Sequence, residues 1–319
     1  MKRILLSTTA YQDTPGDHHA LLDSQDFEIV RRRGPLSEGE MLELGNDFDG
    51  AICGDDAFTR QVIEKMLPRL KVLSKYGIGL DKIDLDACQD HKIPVLFTPG
   101  VNHTTVAEHA FCILLAGVRN LIPSVDSTRA GGWKRITGHE IWKKKMGIIG
   151  LGRIGQAMAQ RAHGFEMEVH GFDLYWPDAF VKDYPVTRHE SALSVLRGAD
   201  VITLHTNLSD ETRDLINEDS IAEMKDDAWL INTARGELVN AKAVVAALNA
   251  GKLAGYVTDV LDEEPPAADH PLLNHPKAIV TPHIGSRTYE SVPRQAMRAT
   301  TNLVNWYSGE GEVLQANKF

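Results

Sequence analysis

Four stretches of the chain place chemically capable side chains directly after apolar runs. In the first, Met146-Gly147-Ile148-Ile149 leads into Gly150-Leu151-Gly152-Arg153-Ile154-Gly155, and Asp173 closes the next apolar run. The other three are Leu230-Ile231-Asn232-Thr233-Ala234-Arg235-Gly236, Asp259-Val260-Leu261-Asp262-Glu263-Glu264-Pro265 and Thr281-Pro282-His283-Ile284-Gly285-Ser286. Three glycines at that spacing, between a strand and a helix and followed by an acidic residue, form the fingerprint of a turn that cradles a dinucleotide pyrophosphate. Gly150 permits the tight turn, Gly152 lets the phosphates approach the backbone, and Gly155 lets the helix pack on the sheet. The helix that opens at Arg153 then offers unpaired N–H groups and its positive dipole end to the phosphates. A carboxylate at Asp173 accepts hydrogen bonds from the ribose hydroxyls and repels a 2′-phosphate, and Leu174-Tyr175-Trp176-Pro177 supply no arginine to hold one. NAD is therefore expected over NADP.

The remaining three stretches suit acid–base work beside that dinucleotide. Arg235 leaves a buried strand at a glycine turn, where a permanently charged fork can hold a carboxylate and polarise a carbonyl. His283 stands between a strand end and a small-residue turn. An imidazole is the usual proton carrier when an alcohol is oxidised near neutral pH. A carboxylate at Glu264 would fix its tautomer and stabilise the imidazolium. All three motifs close predicted strands, and ligands of doubly wound sheets bind beyond the carboxyl ends of strands.

The elements that must position these residues read as two α/β series. Arg3–Thr8, Phe27–Val30, Gly50–Cys53, Val72–Lys75 and Val95–Thr98 are predicted strands of a small parallel sheet, with helices such as Thr59–Met66 between them. Pro99-Gly100 breaks the chain, and Val106–Val118 is a strongly apolar helix. A second series follows, with strands at Met146–Ile149, Val169–Phe172, Val201–His205, Trp229–Thr233, Tyr256–Val260 and Ile279–Pro282. Leu121–Trp142 reads as an arm or long loop. The last helix, Tyr289–Trp306, is expected to return to the first domain.

At 319 residues the chain has room for two cored domains, and 43% hydrophobic with 24% charged residues is ordinary for a globular protein. A formal net charge of −10 without a basic stripe argues against nucleic acid. The three cysteines, Cys53, Cys88 and Cys112, are scattered and without metal-ligand spacing, so no metal is expected and small buried hydrophobes in a reducing cytoplasm are. No apolar run is long enough to span a membrane or serve as a signal peptide.

From about Leu70 to Trp306 the chain resembles the D-2-hydroxyacid dehydrogenase family, which includes phosphoglycerate dehydrogenases. The resemblance is carried by the glycine turn, Thr233-Ala234-Arg235-Gly236, the Asp259–Pro265 run and Pro282-His283-Ile284-Gly285, and also by Lys75-Tyr76-Gly77-Ile78-Gly79-Leu80-Asp81, Thr98–Asn102 and Val106-Ala107-Glu108-His109. It implies two doubly wound parallel-sheet domains with the active site in the cleft between them. One is a flavodoxin-like substrate domain of residues 1–99 plus 286–319, and the other is a Rossmann NAD-binding domain of residues 100–285. It makes Arg235, Glu264 and His283 the catalytic triad. It puts Gly150, Gly152, Arg153, Ile154, Gly155, Asp173, His205, Thr206, Thr233, Ala234, Arg235, Asp259, His283, Gly285 and Ile78 around NAD, with Asp259 on the nicotinamide carboxamide. Ile78, Gly79, Asn102, Arg235 and His283 would hold the substrate, the Ile78 and Gly79 amides forming a nest for its carboxylate. The implied activity is hydride transfer between NAD and a small D-2-hydroxy acid or its 2-keto acid, in a cytoplasmic homodimer. A second reading of the same resemblance is an NAD(H)-sensing corepressor. Members that bind phosphoglycerate often carry an arginine just after the third strand, where this chain has Gly54, Asp55 and Asp56.

Overall fold

The structure, a computed structural model, describes residues 1–319. The chain divides into two compact units, Met1–Asn102 with Arg287–Phe319, and His103–Ser286. The first division falls at Asn102–His103 rather than at Pro99-Gly100. Gly100 (φ +82°) only turns the chain, and the helix His103–Val118 that packs in the second unit starts three residues later.

The first unit holds five parallel strands, β1 (Lys2–Leu6), β2 (Phe27–Arg31), β3 (Gly50–Cys53), β4 (Val72–Lys75) and β5 (Val95–Leu96), in the order β2-β1-β3-β4-β5. A parallel sheet is covered on both faces, which is why β3 and β4 are buried end to end. Successive side chains alternate between the faces. Leu5, Ala51, Cys53 and Leu73 meet Val62, Ile63 and Met66 on one side. Ile4, Leu6, Ile52 and Val72 meet Ala296, Ala299 and Leu303 of the helix Ser291–Ser308 on the other. The one hydroxyl within β4, Ser74 Oγ, donates to the Ala299 carbonyl at 2.7 Å, so even the polar position ties that helix down.

The second unit holds seven parallel strands, β6 (Lys145–Ile149), β7 (Glu168–Phe172), β8 (Thr187–Arg188), β9 (Val201–Leu204), β10 (Ala228–Asn232), β11 (Leu253–Thr258) and β12 (Ala278–Val280), in the order β12-β11-β10-β9-β6-β7-β8. The sequence predicts six of them. The seventh, β8, is two exposed residues at the sheet edge, with no apolar run to reveal it. Separate apolar clusters cover the two faces, one around Ile202, Leu230 and Leu253 and one around Ile148, Ile231 and Val257. In the second cluster the helices His103–Val118 and Arg153–Gly164 lie together, with Phe111 stacked on Phe165 at 5.2 Å.

Three expectations need correction. Leu121–Arg129 is a helix rather than part of a loop; Pro123 lies in its first turn, where no backbone N–H is needed. Cys112 is exposed, whereas Cys53 and Cys88 are buried. The sequence pattern extends the strands to Thr8, Thr98, His205, Thr233, Val260 and Pro282, but they stop at Leu6, Leu96, Leu204, Asn232, Thr258 and Val280. The polar residues past each end are therefore outside the ladder, in the loops beyond the sheet.

Leu303 is fully buried between its helix and the first unit's sheet. Leu303→Ala should destabilise that unit by roughly 2–5 kcal/mol through the cavity left behind. Urea unfolding of the variant beside the parent measures the loss.

Candidate active site

In the second unit the strand order reverses between β6 and β9, the switch point at which doubly wound sheets bind ligands. The glycine turn follows β6 and His205-Thr206 follows β9, so both border this point. Gly150 (φ +94°) presses its backbone against that of His205, where a Cβ would lie 2.5 Å from the His205 carbonyl oxygen. A Cβ on Gly155 would lie 2.0 Å from the Gly150 carbonyl oxygen. A Cβ on Gly152 would meet nothing of the protein within 4 Å. That glycine is therefore not required by internal packing. It leaves clearance on the outer side, at the N-cap of the helix Arg153–Gly164, which has no side-chain cap.

The surroundings fit a dinucleotide. Asp173 follows β7 directly, with one carboxylate oxygen on the Leu151 amide at 2.6 Å and the other on the Tyr175 amide at 2.7 Å, which ties the acidic residue to the glycine turn. Thr233 Oγ1 and His205 Nδ1, at the ends of the neighbouring β10 and β9, are buried polar atoms without a hydrogen-bond partner. The His205 ring bonds through Nε2 to Thr203 Oγ1 at 2.8 Å, and burial pushes its pKa down to about 3. Burial therefore keeps the ring in its neutral form.

Beyond β10 the buried Asn232 builds the turn that presents Arg235. Its Oδ1 accepts from the Ala234 amide at 3.0 Å and its Nδ2 donates to the Arg235 carbonyl at 2.8 Å. Arg235 Nη1 donates to the Ala234 carbonyl at 2.7 Å. Gly236 then abuts the next loop directly, since a Cβ there would lie 1.9 Å from the Leu261 carbonyl carbon. This contact joins the Arg235 turn to the loop that carries Glu264.

Glu264 anchors one oxygen on the Leu261 amide at 3.0 Å and turns the other to His283 Nδ1 at 2.8 Å. A carboxylate on Nδ1 fixes the tautomer and makes Nε2 the nitrogen that exchanges a proton with a ligand. His283 itself is left-handed (φ +53°), and its amide donates to the Asp259 and Thr281 carbonyls at 2.9 and 3.0 Å.

Asp259 holds that turn in place. Its side chain is almost fully buried and accepts from Thr281 Oγ1 at 2.5 Å, the Ile284 amide at 2.9 Å and the Gly285 amide at 2.6 Å, with His109 Nε2 at 3.3 Å. Burial works against its ionisation, but the bonds from His109, Thr281 and Ile284 outweigh it and hold the carboxyl below its usual range. Both oxygens are occupied by the protein itself, whereas the family resemblance assigns Asp259 to a cofactor carboxamide. Thr281, His109 and Asn232 are supporting residues that no sequence motif singled out for a role; only the bonding pattern reveals them.

The other expected substrate residues belong to the first unit. Ile78 and Gly79 follow β4 in a loop that Thr98 fastens at Gly77, accepting from the Gly77 amide at 2.9 Å while the Thr98 amide donates to the Gly77 carbonyl at 3.0 Å. Asn102 is buried, with Nδ2 on Gln295 Oε1 at 3.4 Å and its own Oδ1 unpartnered.

Residues 111–285 match the model of the D-isomer specific 2-hydroxyacid dehydrogenase, NAD binding domain. The chain belongs to the D-2-hydroxyacid dehydrogenase family. It is 35% identical over 89% of its length to a glyoxylate reductase of Thermofilum pendens, covering 86% of that protein. It is 33% identical over 97% of its length to a D-3-phosphoglycerate dehydrogenase of Bacillus subtilis, but spans only 58% of that longer relative. Among solved structures, a D-lactate dehydrogenase from Aquifex aeolicus complexed with NAD and lactic acid superposes with a TM-score of 0.85 at 28% identity, over 96% of both chains. These relatives are named as dehydrogenases and reductases, so the corepressor reading is not favoured. The family's NAD-binding domain is thus the part of this chain in which the glycine turn, Asp173, Glu264 and His283 stand.

Because the folded-state pKa of Asp259 is depressed, its contribution to stability is full above the unfolded value near 3.8 and falls away as the pH drops below it. Asp259→Asn should lower the melting temperature at pH 7, and the gap to the parent should narrow at pH 3. Thermal melts at both values check this.

Proposed function

We propose that the protein is an NAD-dependent oxidoreductase that interconverts a small D-2-hydroxy acid and its 2-keto acid. The observation that carries this reading is the Glu264–His283 pair at 2.8 Å, set on the same unit as the dinucleotide turn. The activities named for its relatives support it.

Bound NAD supplies the hydride acceptor, or in its reduced form the donor. The rest of the chemistry falls to the chain. In the reducing direction, protonated His283 gives its Nε2 proton to the keto oxygen, and Glu264 stabilises the imidazolium while the substrate settles. In the oxidising direction the neutral ring takes the hydroxyl proton at the same atom. Arg235 holds the substrate carboxylate and polarises the carbonyl. The Ile78 and Gly79 amides form the nest for that carboxylate, and Asn102 adds a polar contact. Asp173 selects NAD over NADP by repelling a 2′-phosphate.

We place the protein in a homodimer formed through the segment after the helix His103–Val118. That segment exposes Leu121, Ile122, Trp133 and Trp142 (53%, 46%, 79% and 52% accessible), a run of large apolar side chains suited to an interface.

His283→Ala should cut turnover by roughly 10²–10⁴, the range for losing a general acid–base group. The assay is oxidation of NADH at 340 nm with a panel of 2-keto acids. A variant within a factor of about three of the parent on the best substrate would remove His283 from the proton path.

A further inference from the structure

The helix Ser291–Ser308 does more in the first unit than cover its sheet. Three of its side chains hold the segment that runs from the end of β5 to Asn102. Asn302 Nδ2 donates to the Phe97 carbonyl at 2.9 Å, Arg294 Nε donates to the Val101 carbonyl at 3.4 Å, and Gln295 Oε1 accepts from Asn102 Nδ2 at 3.4 Å. The first two bonds reach the backbone and fix the path of the chain. The third reaches a side chain, and that side chain is the substrate contact proposed above.

Gln295 is itself firmly placed. The residue is 1% accessible, and its Nε2 donates to two hydroxyls, Ser291 Oγ at 3.1 Å and the Tyr76 phenol at 3.3 Å. Ser291 lies one turn earlier on the same helix face, fully buried, and its amide donates to Thr288 Oγ1 at 3.1 Å. Burial pushes the Tyr76 pKa up, so the phenol stays a neutral acceptor for the amide. Tyr76 in turn precedes Gly77, which Thr98 fastens from the neighbouring loop. The amide therefore uses two donors and an acceptor at once, which no apolar side chain of the same length could do.

Asn102 depends on this arrangement. Its Nδ2 is held by Gln295, and its Oδ1 is buried without a hydrogen-bond partner. The last torsion of an asparagine side chain has no sharp minimum, so the amide takes its orientation from its bonds. We propose that Gln295 is a positioning residue for the organic acid, anchored by Ser291 and Tyr76 and acting through Asn102 without touching the substrate. The inference deepens the function proposed above and rests on it. The dinucleotide turn and Asp173 belong to the second unit, so losing the Gln295 amide should be felt by the acid and not by the cofactor.

The test is Gln295→Met, which keeps the length of the side chain and removes its amide. KM and kcat are measured for NADH and for the best 2-keto acid on the parent, Gln295→Met, Asn102→Ala and the double variant, with a melt of each. Gln295→Met should raise the keto-acid KM by roughly tenfold and leave kcat within about threefold and the KM for NADH within about twofold. In the Asn102→Ala background the same substitution should change the keto-acid KM by less than about twofold, because the group it acts through is gone. Should Gln295→Met fail to fold, Tyr76→Phe removes one anchor and should raise the keto-acid KM by about threefold in the parent and by nothing measurable in Asn102→Ala. A keto-acid KM within about twofold of the parent in the folded variant, an equal rise in the Asn102→Ala background, or a parallel rise in the KM for NADH overturns the positioning role and leaves the proposed activity standing. An Asn102→Ala variant with the parent's KM overturns it as well, together with the substrate contact at Asn102. A parent that reduces no 2-keto acid brings down the proposed function, and this inference with it.

Discussion

A single buried carboxylate decides whether the second unit can present its histidine. His283 occupies left-handed backbone space, which costs a non-glycine residue about 1–2 kcal/mol. Asp259 holds it there through the Thr281 hydroxyl and the amides of Ile284 and Gly285, while its own carbonyl accepts the His283 amide. A Cβ on Gly285 would lie 2.8 Å from Asp259 Oδ2, so the carboxylate fills the space that a side chain would need. Strain at one position is thus offset by several charge-assisted bonds at its neighbours, and the imidazole that results points Nδ1 at Glu264.

The same economy of space recurs wherever backbones meet without an intervening side chain. Gly150 against His205, Gly155 against Gly150 and Gly236 against Leu261 each exclude even a methyl group. The first and third contacts join a loop that ends one strand to a loop that ends another, and the second seats the helix Arg153–Gly164 on the turn before it. The sheet sets where the strands stop, and these glycines lock the loops that extend past it. Side chains placed on such loops inherit the rigidity of the sheet without belonging to it.

Much of this was legible in the sequence because it rests on local spacing. The glycine turn, the strand-to-helix alternation and the motif around Arg235 each need only neighbouring residues, and the parallel sheets follow from buried apolar runs. What escaped detection depends on long-range placement, on side-chain orientation or on edges without a pattern. The His109–Asp259 contact joins positions far apart in the chain, and His109 reads as an ordinary helical residue until Thr281 and Asp259 are seen beside it. Asn232 looks like the last residue of a strand, and only its two bonds to the following turn reveal that it shapes the turn. β8 left no trace because two polar residues at an edge carry no periodicity. The sequence extends the strands too far because hydroxyl-bearing and other residues such as Ser7-Thr8, Thr233 and Thr281 carry no signal of where ladder pairing stops.

The abutment of Gly236 on the Leu261 peptide has a consequence for how such a protein changes over generations. Because the arginine turn and the glutamate loop meet backbone to backbone, drift at surrounding positions cannot easily alter the spacing between them. The two loops therefore keep their separation whatever the side chains around them become, and the arginine and glutamate they carry are inherited as one piece.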